Sequence, residues 1–213
     1  MTTALPPVAE RTVATSHGGA VVLFDEVPRP AFLLALTHGA GGGVDAPDLL
    51  ATRDAALTLG GAVARVVQPY RVRGARAPGS VSRQDAAWIE VIAALQRAAG
   101  AIPLIQGGRS NGARLACRTA AQVGARGVIA LAFPLHPPGH PERSRRDELR
   151  AAGAAGAEVL AVSGSRDPFG IPDSADAGQV VVLDGDGHAL SRKPAAVAAA
   201  VSAWLRERVL RPA

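Results

Sequence analysis

Along the chain, apolar runs of strand length alternate with segments whose apolar positions recur every three or four residues. Residues 12–15 and 20–24 flank the turn His17-Gly18-Gly19 and predict an antiparallel hairpin. The run Phe32-Leu33-Leu34-Ala35-Leu36-Thr37 is continuously apolar up to its end, as expected of a strand covered on both faces. Asp45 is placed to cap the next helix, with Pro47 in its first turn and Leu49, Leu50, Ala55 and Leu57 inward. Residues 62–67 predict the next strand, and residues 68–83 an irregular, arginine-rich loop. From Gln84 to Ala99, the residues Trp88, Ile92 and Leu95 form one helical stripe. A strand over 102–107 then leads through a glycine-rich turn into another helix. Further strands are predicted at 127–132, 158–162 and 179–183, and an amphipathic helix over 193–210 turns Val197, Val201, Trp204 and Leu205 inward. A hairpin succeeded by repeated strand–helix units implies an α/β fold with a mainly parallel sheet flanked by helices. It is expected as one domain over residues 1–213, with residues 1–10 a flexible N-terminus. In such a sheet, ligands meet the carboxyl ends of the strands.

Composition narrows the partners. With 213 residues, 48% hydrophobic and 19% charged, the chain suits a globular domain with a sizeable core. Its first residues, Met1 to Pro7, lack the basic stretch and apolar core of a secretory signal. No apolar run approaches the roughly 18 residues that span a membrane, so a cytoplasmic protein without a membrane partner is expected. The single cysteine, Cys117, excludes an internal disulfide and reads as a core residue beside Leu115, Ala116 and Ala120. The net charge of +5 raises the question of nucleic acid. However, 22 of the 23 basic residues are arginines spread along the chain, and only 3% of residues are aromatic. That reads as coding bias, and no nucleic-acid partner is expected. His136 and His140 lack a third ligand, so neither a metal nor another cofactor is expected.

The candidate chemistry lies where strands end. Gly108-Arg109-Ser110-Asn111-Gly112 is a G-x-S-x-G sequence between strand and helix, the setting of a nucleophile elbow. The motif alone is weak in a chain with 24 glycines. Its weight comes from the residues at the ends of two other strands: Asp167 after residues 158–162, and His188 after residues 179–183. The order Ser, Asp, His is that of α/β-hydrolases. Ser110 would attack a carbonyl, His188 would act as base and then acid, and Asp167 would hold the imidazole tautomer. Asp184 and Asp186 are rivals for the acid, but Asp167 is preferred because it comes after a different strand. The oxyanion would be met by the backbone N–H groups of Asn111 and Ala40, the latter in the turn His38-Gly39-Ala40.

These segments, with Pro69-Tyr70-Arg71, Phe133-Pro134-Leu135-His136-Pro137 and Gly164-Ser165-Arg166-Asp167-Pro168-Phe169-Gly170, resemble the small, lidless α/β-hydrolases related to dienelactone hydrolases. Within that group they are similar to the branch of Tex30-like proteins and the hydrolase-like domain of a nonspecific-lethal chromatin complex subunit. The resemblance spans about residues 30–210 and implies the α/β-hydrolase fold and the Ser110–Asp167–His188 triad. It implies no substrate. Dienelactone hydrolases use a cysteine nucleophile where Ser110 stands, which puts dienelactone chemistry in doubt.

The interval His136 to Ala157 has room for one short helix and no apolar lid, so an open site is expected. Arg109, Arg71 and Arg166 lie beside or after strand ends and, with His38, are candidate substrate-binding residues for an anionic ester. Arg109 has a second reading, as a structural partner of a carboxylate under the elbow. The expected function is a serine hydrolase cleaving small esters or thioesters through an acyl-enzyme. The alternatives are a catalytically silent scaffold and an amidase- or haloperoxidase-like variant.

Overall fold

The structure, a computed structural model, describes residues 8–210. Strands β1 (Val8–Thr15), β2 (Gly18–Asp25), β3 (Phe32–Thr37), β4 (Gly61–Val67), β5 (Leu104–Arg109), β6 (Gly127–Leu131), β7 (Glu158–Gly164) and β8 (Gln179–Leu183) form one sheet. Their order is β1-β2-β4-β3-β5-β6-β7-β8. The β1–β2 and β2–β4 pairs are antiparallel, and all others are parallel. Helices α1 (Pro47–Thr58), α2 (Pro69–Val72), α3 (Val81–Ala99), α4 (Asn111–Val123), α5 (Arg146–Ala154) and α6 (Pro194–Trp204) connect and cover it.

Every residue of β3 is buried because the sheet is covered on both faces. Leu34, Leu36, Ile105 and Ile129 pack with Leu49 of α1 and Val197, Val201 and Trp204 of α6. On the other face, Leu33, Ala35 and Val66 pack with Trp88 and Ile92 of α3 and Leu115 of α4. Trp204 is completely buried, and a Cβ on Gly127 would lie 2.7 Å from its ring, so the start of β6 is shaped to the indole. Beneath the centre of the sheet, the buried amide of β5 is fully used. Gln106 accepts a hydrogen bond from Trp88 Nε1 (2.7 Å) and donates to the Ala116 carbonyl (2.7 Å). This ties β5 to α3 and α4 at little cost, since a buried amide is tolerable only when bonded.

Several boundaries differ from expectation for local reasons. β1 begins at Val8, so residues 8–10 belong to the hairpin; the expectation for residues 1–7 lies outside the described residues. The expected loop 68–83 contains α2, opened by Pro69 at its first position, and the start of α3 at Val81. β5 is displaced to 104–109, which takes in Gly107 and Gly108; Pro103 has no N–H for the ladder and contributes its carbonyl to Leu33 N–H (2.9 Å). Asp45 does not cap α1, whose N-cap is Ala46; it accepts instead from Arg65 Nη1. The last helix runs as α only to Trp204 and finishes as a π turn over Leu205–Val209. Between β6 and β7 the single helix is α5, and no lid covers the carboxyl edge among the described residues. Nor is any helix there long and apolar enough to cross a membrane.

Trp204→Ala removes the largest buried side chain of this face and is expected to destabilise the fold by about 3–5 kcal/mol, read as a lower urea midpoint.

Candidate active site

The site begins with a backbone conformation. Ser110 joins β5 to α4 at φ 54° and ψ −112°, a region that costs a non-glycine residue about 1–3 kcal/mol. Neighbouring backbone closes in to hold it there. Cβ atoms on Gly108 and Gly112 would lie 2.6 and 2.7 Å from the Thr37 carbonyl, so only glycine admits β3 so near the turn. Ser110 N–H donates to the Leu131 carbonyl (2.9 Å), and Arg114 N–H donates to the Ser110 carbonyl (3.1 Å). The hydroxyl therefore stands at the top of the sheet, at the N-terminus of α4.

His188 reaches it from the loop after β8. His188 Nε2 lies 2.9 Å from Ser110 Oγ, and Nδ1 lies 2.8 Å from Asp167 Oδ2. A carboxylate can only accept here, so Nδ1 carries the hydrogen and Nε2 is free to accept from the serine. The Asp167 side chain is fully buried, and its other oxygen accepts from Phe169 N–H (2.9 Å). Phe169 packs edge-on against the imidazole, centroids 4.4 Å apart. The rival acids have other partners. Asp186 is buried and accepts from Gly187 N–H (3.0 Å) and Lys193 N–H (3.2 Å), which holds the histidine loop; Asp184 is exposed and accepts from Ser165 Oγ (3.3 Å).

The turn after β3 completes the arrangement. His38 is fully buried, and burial lowers its pKa, so the ring is neutral. Gln68 N–H donates to its Nε2 (3.1 Å), and Nδ1 donates to the Gly39 carbonyl (2.8 Å). Engaged at both nitrogens, His38 has none left for a substrate. A Cβ on Gly39 would lie 3.3 Å from Ser110 Cβ, so the turn passes directly over the serine. The N–H groups of Ala40 and Asn111 donate no hydrogen bond to any described residue; Asn111 follows Ser110 in the chain, and Ala40 follows Gly39 in the turn above it. Two side chains that the sequence left without a role hold these residues. Tyr70 Oη, its pKa pushed up to about 12 by burial, donates to the Ala40 carbonyl (3.0 Å). Gln84 Oε1 accepts from Asn111 Nδ2 (2.8 Å).

A family described as the alpha/beta hydrolase domain matches residues 30–191, which include all of these groups. The chain belongs to that family. No curated protein matches it in sequence. Among solved structures it is similar to Est1E from Butyrivibrio proteoclasticus, determined with ferulic acid bound (TM-score 0.77, 16% identity, 94% of this chain and 100% of that one). A serine hydrolase without a lid from Xanthomonas campestris superposes over 99% of this chain and 100% of its own (TM-score 0.75, 17% identity). A dienelactone hydrolase from Anabaena variabilis does so over 96% and 99% (TM-score 0.75, 15% identity). At these identities the likeness is one of fold.

The arginines of this hydrolase chain divide by environment. Arg71 is half-buried at the end of α2, and Arg166 is exposed beside Asp167. Arg109 turns away from them, onto the α1 side of the sheet, where its Nε lies 3.5 Å from Asp48 Oδ2. Asp48 escapes a sequence reading because an acid in the first turn of a helix is ordinary. Here it is fully buried, and neither carboxylate oxygen has a hydrogen-bond partner among the described residues. Burial raises its pKa to about 6, against the opposing pull of Arg109, the first-turn N–H groups and His188. Between its ordinary value of 3.8 and about 6, the folded state binds the extra proton. The carboxyl's contribution is therefore intact below pH 3.8 and lost as pH rises through 6. Asp48→Asn is expected to be more stable than wild type by up to about 3 kcal/mol at pH 8, and the gap should close at pH 4 in urea titrations.

Proposed function

We propose that the protein is a serine hydrolase that cleaves small esters or thioesters through an acyl-enzyme. The observation that carries this reading is the unbroken chain from Ser110 through His188 to Asp167, with contacts of 2.9 and 2.8 Å. In the first step Ser110 Oγ attacks the substrate carbonyl as its proton passes to His188 Nε2. The negative charge on the carbonyl oxygen is met by the N–H groups of Ala40 and Asn111 and by the positive end of α4. The tetrahedral intermediate collapses, His188 returns the proton to the departing alcohol or thiol, and an ester to Ser110 remains. Water, deprotonated by the same histidine, then releases the acid. Asp167 holds the imidazole tautomer and stabilises the imidazolium throughout.

The absence of a lid among the described residues favours compact substrates over lipid aggregates. Arg71, whose charge acts on His38, and the exposed Arg166, next to Asp167 in the chain, suit an anionic group on the substrate. Arg109, paired with Asp48, is better suited to bracing the elbow against α1. Membership of the Tex30-like branch within the family is part of this proposal and rests on the motif combination.

Folded wild-type protein should react with a fluorophosphonate probe, and Ser110→Ala should not. Asp167→Asn should lower kcat on an aryl ester by about four orders of magnitude while leaving the fold intact. Failure of the folded wild type to label would sink the hydrolase reading in favour of a scaffold.

A further inference from the structure

On the α3 side of the sheet lies a cavity of about 380 Å³, within the range of ligand pockets. Its lining includes Val66 of β4 and Ala87, Trp88 and Val91 of α3. The indole nitrogen of Trp88 is turned onto Gln106, so the ring offers the cavity only carbon. The cations Arg73 and Arg83 are exposed, which places their charge at the solvent side and leaves the floor apolar. The near wall contains Tyr70 and Gln84. These are the residues bonded to Ala40 and Asn111, the pair that flanks Ser110. The cavity therefore begins one side chain away from the turn where a substrate carbonyl would sit.

We propose that this cavity is the subsite for the acyl chain, and that the substrates are esters or thioesters of an apolar, medium-length acid. This rests on the acyl-enzyme reading above. An acyl arm that reaches from Ser110 past Gln84 would meet the apolar faces of Ala87, Trp88 and Val91, where each buried methylene is rewarded. Gly74 and Gly79, both at positive φ, bracket residues 75–78, three of which line the cavity on its outer side.

The test is a series of p-nitrophenyl esters from acetate to decanoate, with fluorophosphonate labelling on the same preparations. Wild type should favour octanoate over acetate in kcat/KM by about tenfold. Ala87→Leu fills the floor and should lower the octanoate-to-acetate ratio by about tenfold; Val91→Ala enlarges it and should move the optimum to longer chains. A ratio taken on one preparation cancels any loss of folded enzyme. An unchanged chain-length profile in both variants, with labelling intact, would overturn the assignment. If wild type does not label, the hydrolase reading fails by itself. Calorimetry with octanoate then decides the cavity: binding to wild type and not to Ala87→Leu supports it, and binding to neither overturns it.

Discussion

The Thr37 carbonyl oxygen occupies the space where Cβ atoms of Gly108 and Gly112 would stand. That contact lets the end of β3 press against the turn between β5 and α4, and the pressure has consequences on both sides. It holds Ser110 in a positive-φ conformation that an isolated chain would abandon, so the hydroxyl projects from the sheet. It also brings the residues after Thr37 over Ser110, where a Cβ on Gly39 would meet the serine Cβ at 3.3 Å. A methyl group at either glycine would separate β3 from β5, and the His38-Gly39-Ala40 turn would move away from Ser110.

The two histidines at the site show how burial divides labour between identical side chains. His38 is sealed in, neutral, and bonded at both nitrogens to backbone, so it behaves as a rigid link between the turn and α2. His188 is partly exposed, bonded on one side to a buried carboxylate and on the other to a hydroxyl. Only the second arrangement leaves a basic nitrogen facing a group that can lose a proton. Tyr70 and Gln84 extend the rigid part outward, each using its polar end on Ala40 or Asn111 and its body on the wall of the adjoining cavity.

Charge is handled differently beneath the site. Asp48 is buried without hydrogen bonds beside Arg109, an expensive arrangement for a group that could sit in solvent. Stability surrendered at Asp48 and strain stored at Ser110 thus fall on the two sides of the same elbow.

Period and punctuation made most of the architecture readable from the sequence. Continuous apolar runs bounded by turn residues read as strands covered on both faces, and the helical stripes of α3 and α6 state which side faces in. The order Ser110, Asp167, His188 was legible for the same reason, because each comes after an apolar strand and parallel strands deliver their ends to one edge. Questions of distance stayed open at that level. Asp167 is separated from Asp184 and Asp186 only by the hydrogen bonds each makes in three dimensions. The turn of helix inside the arginine-rich loop is stabilised by the Tyr70 hydroxyl bonding the Ala40 carbonyl, a contact 30 residues away in the chain. Asp48 resembles any acid in a first helical turn until Arg109, 61 positions later, is found beside it. Local pattern determines which residues share a face; only tertiary packing determines which faces meet, because the close approaches of backbone at Gly39, Gly108 and Gly112 join segments that no periodicity connects.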